Sequence, residues 1–348
     1  MKVKWFLISS WILILAVIGG ITMVEAAPKT TGNKFELIFA TYSPTRGPGY
    51  NYLEKVWVPT IAEKTGGRLK VKLMWGGVLC PAKEQPEAVK TGLCDLTLLC
   101  SAYYPDKFPL WTAVMLPFLM PEEYSAVYAM VDAIGRHPFI EKELDKWNCK
   151  YVAAQWAGIY DLMGVKRITS IKDLKGTKIR AIGGSSKVLE KFGAVPVHTT
   201  GPEMFDAMSK GVIEAACHTP GSLEHYGLKQ ASKYYTEIAV NACEAFLVIN
   251  KDSLNSLPSD LRKIFLEECG RLAFSAPAAN TLEQVTAKRH FKKAGIEFLK
   301  FAPEDREKMV EGAQDIWNKW VEKMEAKGLP GREFLDWILS VKKYYTTY

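Results

Sequence analysis

The pattern of apolar residues predicts β-strands alternating with α-helices along this chain. Arg68–Trp75 alternates polar and apolar side chains, which is the pattern of a half-buried strand. Leu93–Cys100 is apolar almost throughout apart from Asp95, which is typical of a parallel strand covered on both faces. Comparable runs predict further strands at Phe35–Thr41, Cys149–Ala157, Lys178–Ile182, Val212–Cys217 and Ile238–Asn250.

Helical segments are predicted between these strands and over most of the C-terminal quarter. Pro121 and the two glutamates after it favour a helix start, and Thr200 with Glu203 has the spacing of a capping box. From Pro258 the pattern is helical almost to the end. Glycines and prolines mark the expected ends and breaks: Gly66, Gly92, Gly135, Gly211, Pro277, Gly295 and Gly328. Alternating strands and helices followed by a helical tail predict a doubly wound α/β fold.

The N-terminus predicts export from the cytoplasm. Lys2 and Lys4 precede an apolar stretch from Trp5 to about Met23, and Val24-Glu25-Ala26 offers the small residues that signal peptidase recognises. Residues 1–26 are therefore expected to be a signal peptide cleaved after Ala26, which places the mature chain in the periplasm. No later apolar run approaches the about 20 residues needed to span a bilayer, so the mature chain is expected to be soluble.

Charge and cysteine content add two constraints. The formal charge of +7 weakly favours acidic ligands, but lysine and arginine are spread along the chain without a nucleic-acid motif, so no nucleic acid partner is expected. The seven cysteines are odd in number and form no CxxC, which indicates buried small side chains. Cys217 and Cys243 are the first pair to test for a disulfide, because both lie in strands predicted to be neighbours.

Catalytic signatures are missing from the sequence. It has no GxSxG, no HExxH and no strand-linked GxGxxG motif, and Ser222 with His225 lacks the third member of a triad. We therefore expect a protein that is not an enzyme and needs no cofactor, with the participation of a cation left open. A secreted hydrolase is the less favoured alternative.

One arginine is distinguished by its position. Arg180 ends the run Asp173–Arg180, and Gly183-Gly184 and a predicted helix start follow it. An arginine at the end of a strand suits a small anion, because the planar guanidinium matches the fork of a carboxylate. Gly183–Ser186 either presents backbone amides to the same anion or forms a plain turn with a serine cap.

Several short motifs occur in a consistent order. They are Glu63–Val71, Gly76–Leu79, Glu87–Asp95, Leu116–Phe118, Ile171–Arg180, Gly193–Pro196 and Glu203–Glu214. Behind an export signal, this order and spacing resembles the periplasmic solute-binding receptors of TRAP (tripartite ATP-independent periplasmic) transporters, of the dicarboxylate-binding-protein type. The resemblance extends from about Phe35 to Gly328. A receptor that serves an ABC importer or a sensor kinase is an alternative with the same fold.

The resemblance implies a periplasmic binding protein type II-like fold, with two doubly wound lobes joined by hinge strands and a long helix. Lobe I is expected to comprise residues 33–157 plus about 245–282, and lobe II residues 158–244 plus about 283–348. In the family, the lobes close over a ligand in the cleft. The closed form then delivers this ligand to the TRAP permease subunits in the membrane.

The resemblance also implies which residues bind the ligand. In the family, the arginine aligned with Arg180 forms a two-pronged salt bridge to the substrate carboxylate. The other residues expected at the ligand lie at or just after strand ends: Thr41, Tyr42, Cys100, Ser101, Tyr103, Gln155, Trp156, His218 and Thr219. Tyr160 or Asp161 occupies the place of a second arginine of many relatives, and Cys100 aligns with a glutamate of some sialic-acid binders. These missing charges favour a monocarboxylate with an apolar or aromatic body.

Overall fold

The computed structural model describes residues 33–44 and 48–347. The predicted signal peptide at residues 1–26 lies outside them. The described chain forms two mixed β-sheets with helices packed around them, so the predicted α/β class is confirmed. None of the helices described is long and apolar enough to cross a membrane.

Eleven strands form the two sheets of the described chain. In chain order they are β1 (Phe35–Ala40), β2 (Leu69–Met74), β3 (Leu96–Leu99), β4 (Cys149–Ile159), β5 (Asp161–Gly164), β6 (Lys178–Arg180), β7 (Val195–Val197), β8 (Ala215–His218), β9 (Tyr234–Glu237), β10 (Ala242–Asn250) and β11 (Glu297–Lys300). Four of these, β5, β7, β9 and β11, are missing from the sequence-based prediction. Each has only three or four residues. The equally short β3, β6 and β8 were predicted because they lie within longer runs of strand-forming residues.

The first sheet has the strand order β2-β1-β3-β10-β4. β1 pairs in parallel with β2 and β3, whereas β10 is antiparallel to β3 and β4. The parallel pairing predicted for Leu93–Cys100 therefore holds on one side of β3 only. Every residue of β10 is buried, which explains why its sequence reads as a continuous apolar run.

The second sheet has the strand order β11-β9-β5-β8-β6-β7. β6 lies between β7 and β8 and is parallel to both, so Arg180, its last residue, lies at the carboxyl edge of these strands. Open α/β sheets bind their ligands at this edge. The strand order thus places the predicted anion-binding residue where the fold class favours a site.

Two strand crossings connect the sheets and are hydrogen-bonded to each other. β4 continues through Tyr160 into β5, and β9 returns through Ala239 to β10. Tyr160 N donates to Asn241 O over 2.8 Å, and Val240 N donates to Tyr160 O over 3.0 Å. The buried Asp161 carboxylate accepts the Ala239 N–H over 3.1 Å. This hydrogen bond stabilises Ala239 in a left-handed backbone conformation (φ 53°), which residues with a Cβ rarely adopt.

The helices pack around both sheets. They are α1 (Pro48–Tyr52), α2 (Val58–Lys64), α3 (Gln85–Lys90), α4 (Tyr124–Gly135), α5 (Pro138–Asp145), α6 (Ile171–Leu174), α7 (Gly183–Lys191), α8 (Met204–Ser209), α9 (Pro220–His225), α10 (Lys251–Ser256), α11 (Ser259–Lys293), α12 (Pro303–Glu325) and α13 (Gly331–Thr347). A π-helical turn joins α1 to α2, and 3₁₀ turns cover residues 82–84, 101–103, 111–115 and 228–231.

The long helix α11 runs for 35 residues, with Pro277 inside it. The predicted break at Pro277 is therefore wrong. A proline in a helix removes one backbone hydrogen bond, but α11 packs against β4, α1 and α9 along its length, and this tertiary packing keeps the helix continuous. Gly295, with a φ of 80°, lies just beyond the helix end, where an end was predicted.

Two predicted helix starts are shifted by a few residues. The helix expected from Pro121 begins at Tyr124, and the Glu123 side chain caps it by accepting the Ala126 N–H over 2.7 Å. The Glu203 side chain accepts the Thr200 N–H over 2.6 Å, which is one half of the expected capping box. Glu203 therefore orders the turn before α8, as a capping role predicts.

All seven cysteines are buried and free. Cys217 lies in β8 of the second sheet and Cys243 in β10 of the first, so the disulfide suggested for this pair is wrong. The two strands are close in sequence order but belong to different sheets. The alternative interpretation of the cysteines as small buried side chains is confirmed.

Candidate ligand-binding site

The fold buries Arg180 completely at the end of β6. Its Nε donates to the Thr199 carbonyl oxygen over 3.0 Å, and its Nη1 donates to the Cys217 carbonyl oxygen over 3.2 Å. Its Nη2 has no hydrogen-bond partner among the described residues. Burying a cationic N–H group without an acceptor is unfavourable, so the arrangement suits an additional anionic acceptor.

A small cavity lies between the two sheets. Arg180 is not itself in the cavity wall, but its charge acts on four residues that are: Cys100, Tyr103, Tyr160 and His218. Five tyrosines and two histidines supply most of its lining: Tyr42, Tyr50, Tyr103, Tyr160, Tyr226, His218 and His225, together with Ser43, Cys100, Ser222, Glu244 and Ala245. Burial raises the pKa of Tyr103 to about 12, and the nearby Arg180 charge opposes that rise. The lining is therefore mainly aromatic, and the positive charge of Arg180 acts on it from close by.

The described conformation is a closed one. Tyr103, which follows β3, accepts a hydrogen bond from Gly201, which follows β7, over 3.1 Å, so the contact joins loops of the two sheets. The cavity encloses about 20 Å³, which is room for about one water molecule. A small organic molecule therefore needs the two sheets to separate before it can reach Arg180.

Close packing at Gly184 is a second contact between the segments that belong to the two different sheets. A Cβ placed on Gly184 at the start of α7 would lie 2.0 Å from the Met115 carbonyl oxygen and 2.6 Å from Pro117. Met115 ends a 3₁₀ turn that follows β3 in the chain. Only glycine permits this approach, because the opposing atoms belong to backbone and a proline ring.

Glu244 is a residue of the site that the sequence reasoning missed. It is fully buried in β10 and lines the cavity. Its Oε1 accepts the Ser101 N–H over 2.9 Å, and its Oε2 has no hydrogen-bond partner among the described residues. Burial raises the pKa of Glu244 to about 7 from an ordinary 4.5. The available signal was a single acidic residue inside the otherwise apolar run Ala242–Ile249.

This buried carboxyl group predicts a pH-dependent stability. Between about pH 4.5 and pH 7, Glu244 holds a proton in the folded chain and loses it on unfolding, so the free energy of unfolding falls as the pH rises. Glu244→Gln removes this fall. We expect the free energy of unfolding of the variant to equal that of the unmodified protein at pH 5 and to exceed it by roughly 2–3 kcal/mol at pH 8. Urea unfolding at each pH measures it.

The exposed Glu307 on α12 provides the matched control, since Glu307→Gln exchanges the same groups in water. Its difference from the unmodified protein should stay near zero at both pH values. A Glu244→Gln difference that is the same at pH 5 and pH 8 would show that Glu244 titrates normally.

His218 contributes no charge to the cavity. Burial, the Arg180 charge and His225 together lower its pKa well below the ordinary value. Its Nδ1 accepts the Thr219 N–H over 2.9 Å, which places the proton of the neutral ring on Nε2. Its ring lies 4.8 Å from the Tyr160 ring, centroid to centroid. The site therefore presents a neutral imidazole next to a charged guanidinium.

The structure places the predicted site residues in two groups. Tyr42, Cys100, Tyr103 and His218 line the cavity beside Arg180. The other group is buried nearby without lining this small closed cavity: Thr41, Gln155, Ser101 and Thr219. For both groups, and for Arg180, ligand contact stays a prediction.

The second group has local structural contacts. Thr41 Oγ1 accepts the Ser43 N–H over 3.1 Å, and Thr219 Oγ1 caps α9 by accepting the Ser222 N–H over 3.4 Å. The Gln155 Oε1 is buried with no hydrogen-bond partner among the described residues. The side chain of Trp156 lies outside the described part of the structure, so the role predicted for it also stays a prediction.

A larger cavity, of about 930 Å³, reaches the strand crossings from Ile159 and Ala242. Arg306 lies in its wall but is already engaged, because its guanidinium contacts the Glu122 carboxylate and its Nε donates to Ile238 O over 2.8 Å. A second cation in the wall, Lys342, is also engaged, because its Nζ donates to Phe118 O over 3.1 Å. Arg180 differs from both in having a buried N–H group without a hydrogen-bond partner among the described residues.

Comparison with known proteins agrees with this geometry. The family model described as "Bacterial extracellular solute-binding protein, family 7" matches residues 39–324. The chain is 29% identical to the monocarboxylate 2-oxoacid-binding periplasmic protein all3028 of Nostoc sp. over 59% of its length, and the match covers 57% of that relative. It is 25% identical to the C4-dicarboxylate-binding periplasmic protein DctP of Rhodobacter capsulatus, over 84% of this chain and 87% of that one.

Solved structures share the fold. A TRAP solute-binding protein from Rhodoferax ferrireducens, in complex with copurified benzoate, superposes with a TM-score of 0.82 at 21% identity, over 90% of this chain and 99% of that one. A TRAP periplasmic solute-binding protein from Bordetella bronchiseptica, with bound mandelate, superposes with a TM-score of 0.78 at 23% identity, over 89% and 99%. The predicted type II-like architecture is confirmed.

Proposed function

This chain belongs to the bacterial extracellular solute-binding proteins of family 7, and from that membership we propose that it is the periplasmic receptor of a TRAP transporter. It captures a small carboxylate and delivers it to a membrane permease. The observation that carries the proposal is the buried Arg180, whose Nη2 has no hydrogen-bond partner among the described residues and whose charge acts on the lining of a cavity between the two sheets. A carboxylate supplies the missing acceptor and compensates the charge.

The ligand is a monocarboxylate with an apolar or aromatic body. Arg180 is the charged residue suited to hold one carboxylate, while the tyrosines around it offer stacking surface and hydroxyl groups. Glu244, once ionised, would repel a second carboxylate at this position. The benzoate and mandelate named for two similar structures support an aromatic acid, whereas the names of two curated relatives point to a 2-oxoacid and a C4-dicarboxylate.

Binding proceeds by opening and closing. The two sheets with their helices act as the two lobes, and the crossings at Tyr160 and Ala239 act as the hinge. The ligand reaches Arg180 in the open form, and the Tyr103–Gly201 hydrogen bond and the Gly184 contact re-form around it. Closure is favoured by the bound anion, because only the closed form surrounds it with all of these groups. No bond of the ligand is made or broken, and no cofactor takes part.

Calorimetric titration of the secreted protein with matched small molecules tests this function. Benzoate and mandelate should bind with Kd values of about 10 µM or below, and benzamide, which has the same shape without the charge, at least about 100-fold more weakly. Succinate should bind at least about tenfold more weakly than benzoate. Native mass spectrometry of protein purified without added ligand should show a retained small acid.

Two results would contradict the proposal. Equal affinity for benzoate and benzamide would mean that no buried cation recognises the ligand. Turnover of an ester or peptide panel above background would revive the alternative of a secreted hydrolase.

A further inference from the structure

The long helix α11 exposes an apolar stripe on the side facing away from the sheets. Phe274 is 86% exposed, Leu282 55% and Val285 47%, and Ala278 lies between them on the same surface. Large apolar side chains are seldom this exposed in a row, and such rows mark interaction surfaces. We therefore expect the stripe to contact a partner molecule.

The pattern of this stripe is symmetric about Ala278. The exposed positions in chain order are Glu267, Arg271, Phe274, Ala278, Leu282, Val285 and Arg289. On either side of Ala278 the successive spacings are four, three and four residues. With about 3.6 residues per turn, all seven positions fall within about 40° of one line along the helix. The row is narrow enough for two helices to pack along it, although the two successive steps of four residues at Ala278 depart from the alternating steps of three and four in a heptad coiled coil.

The side chains are complementary under a two-fold rotation that pairs the stripe with itself. If two copies of α11 lie antiparallel and cross at Ala278, the positions four residues away bring Phe274 of one copy against Leu282 of the other. The outermost positions bring Glu267 against Arg289, which have opposite charges. The intermediate positions place Arg271 of one copy against Val285 of the other. An antiparallel arrangement therefore pairs the apolar centre and the opposite charges of Glu267 and Arg289, whereas the next exposed positions outward, Lys263 and Lys293, bring like charges together.

We propose that this stripe is the interface of a homodimer, formed by antiparallel packing of the two α11 helices about Ala278. A two-fold interface uses the same patch on both subunits, which is the property that the stripe shows in its sequence. The small side chain of Ala278 lets the helix axes approach at the centre. A single pair of crossing helices forms a small interface, so we expect the dimer to be weak and to depend on concentration.

The opposite face of α11 supports the ligand site. Asn280 Nδ2 donates to Gln155 O over 3.1 Å, and Gln284 Oε1 accepts the Gly221 N–H over 2.8 Å. Both side chains are buried. Changes confined to the exposed stripe should therefore alter association without altering ligand affinity, which separates this inference from the proposed function.

Sedimentation velocity of the secreted protein from about 1 to 100 µM provides the first test. The weight-average mass should rise from that of one chain toward two. Glu267→Arg should raise the protein concentration at the midpoint of dimerisation at least about fivefold, because it places like charges at both ends of the interface. The double variant with Arg289→Glu should restore the original midpoint, while the control Glu307→Arg on α12 should leave it unchanged. A single-chain mass at all concentrations, or no recovery in the double variant, would overturn the interface.

Disulfide trapping tests the register. Ala278→Cys places two thiols together at the two-fold axis, and oxidation should give a covalent dimer. Leu282→Cys should not cross-link, because its two copies lie about 12 Å apart along the helix. The native cysteines are all buried and should give little background. Equal cross-linking at both positions would indicate parallel helices and contradict the proposed arrangement.

Discussion

Arg180→Lys is expected to weaken carboxylate binding by about 10- to 100-fold, which corresponds to the roughly 1.5–3 kcal/mol of a charge-assisted hydrogen bond. Lysine keeps the positive charge but not the planar fork. Arg180 uses Nε and Nη1 to hold the carbonyl oxygens of Thr199 and Cys217 and leaves Nη2 for a ligand. A single ammonium group cannot reach all three directions. The measurement is calorimetric titration with benzoate.

Arg136→Lys is the matched control. Arg136 is a half-exposed arginine whose Nε contacts Asp132 over 2.7 Å on the surface, and the same exchange there should leave ligand affinity unchanged. Urea unfolding of both variants checks that the fold is retained. If Arg180→Lys binds benzoate as well as the unmodified protein, Arg180 is not the residue that holds the carboxylate.

Gly184→Ala is expected to weaken ligand binding at least about tenfold, or about 1.4 kcal/mol, by opposing closure. The added methyl group would lie 2.0 Å from the Met115 carbonyl oxygen, so the two backbones must separate by more than about 1 Å to reach ordinary contact. This separation acts directly on the closed arrangement. The binding free energy should therefore weaken by more than the free energy of unfolding decreases.

Gly270→Ala in α11 is the control for this exchange. Nothing lies within 4 Å of a Cβ placed there, and alanine favours a helix interior by roughly 1 kcal/mol, so this variant should bind normally and be slightly more stable. Scattering of both proteins with and without benzoate would report their compactness. A Gly184→Ala protein that compacts and binds normally would show that closure does not require the contact.

The sequence predicted the longer strands and the position of Arg180 for a physical reason. Burial of one or both faces of a strand sets the pattern of apolar residues in runs such as Phe35–Thr41 and Arg68–Trp75. This pattern can be recognised in the sequence without knowing the partner strand. Arg180 was found because it ends such a run. The side chains around it come from segments far apart in the chain, and their identities as cavity lining follow only from the closed packing.

Other features could not be read from local patterns. The antiparallel direction of β10 and the short edge strands β7 and β11 depend on how the chain crosses between the sheets. Pro277 lies within a continuous helix because packing against β4 outweighs a local preference. Glu244 was overlooked because one acid inside an apolar strand does not change its period. Its significance lies in a buried carboxyl oxygen that has no hydrogen-bond partner among the described residues.

The seven buried thiols impose a condition on how this protein matures. Proteins exported by bacteria meet enzymes that oxidise cysteine pairs, and an unfolded chain with seven accessible thiols can be oxidised into many wrong pairings. After folding, burial raises the pKa of Cys149 and Cys217 to about 12, which suppresses the reactive thiolate. In the folded chain, burial of the thiols, and not covalent cross-linking, therefore protects them from oxidation.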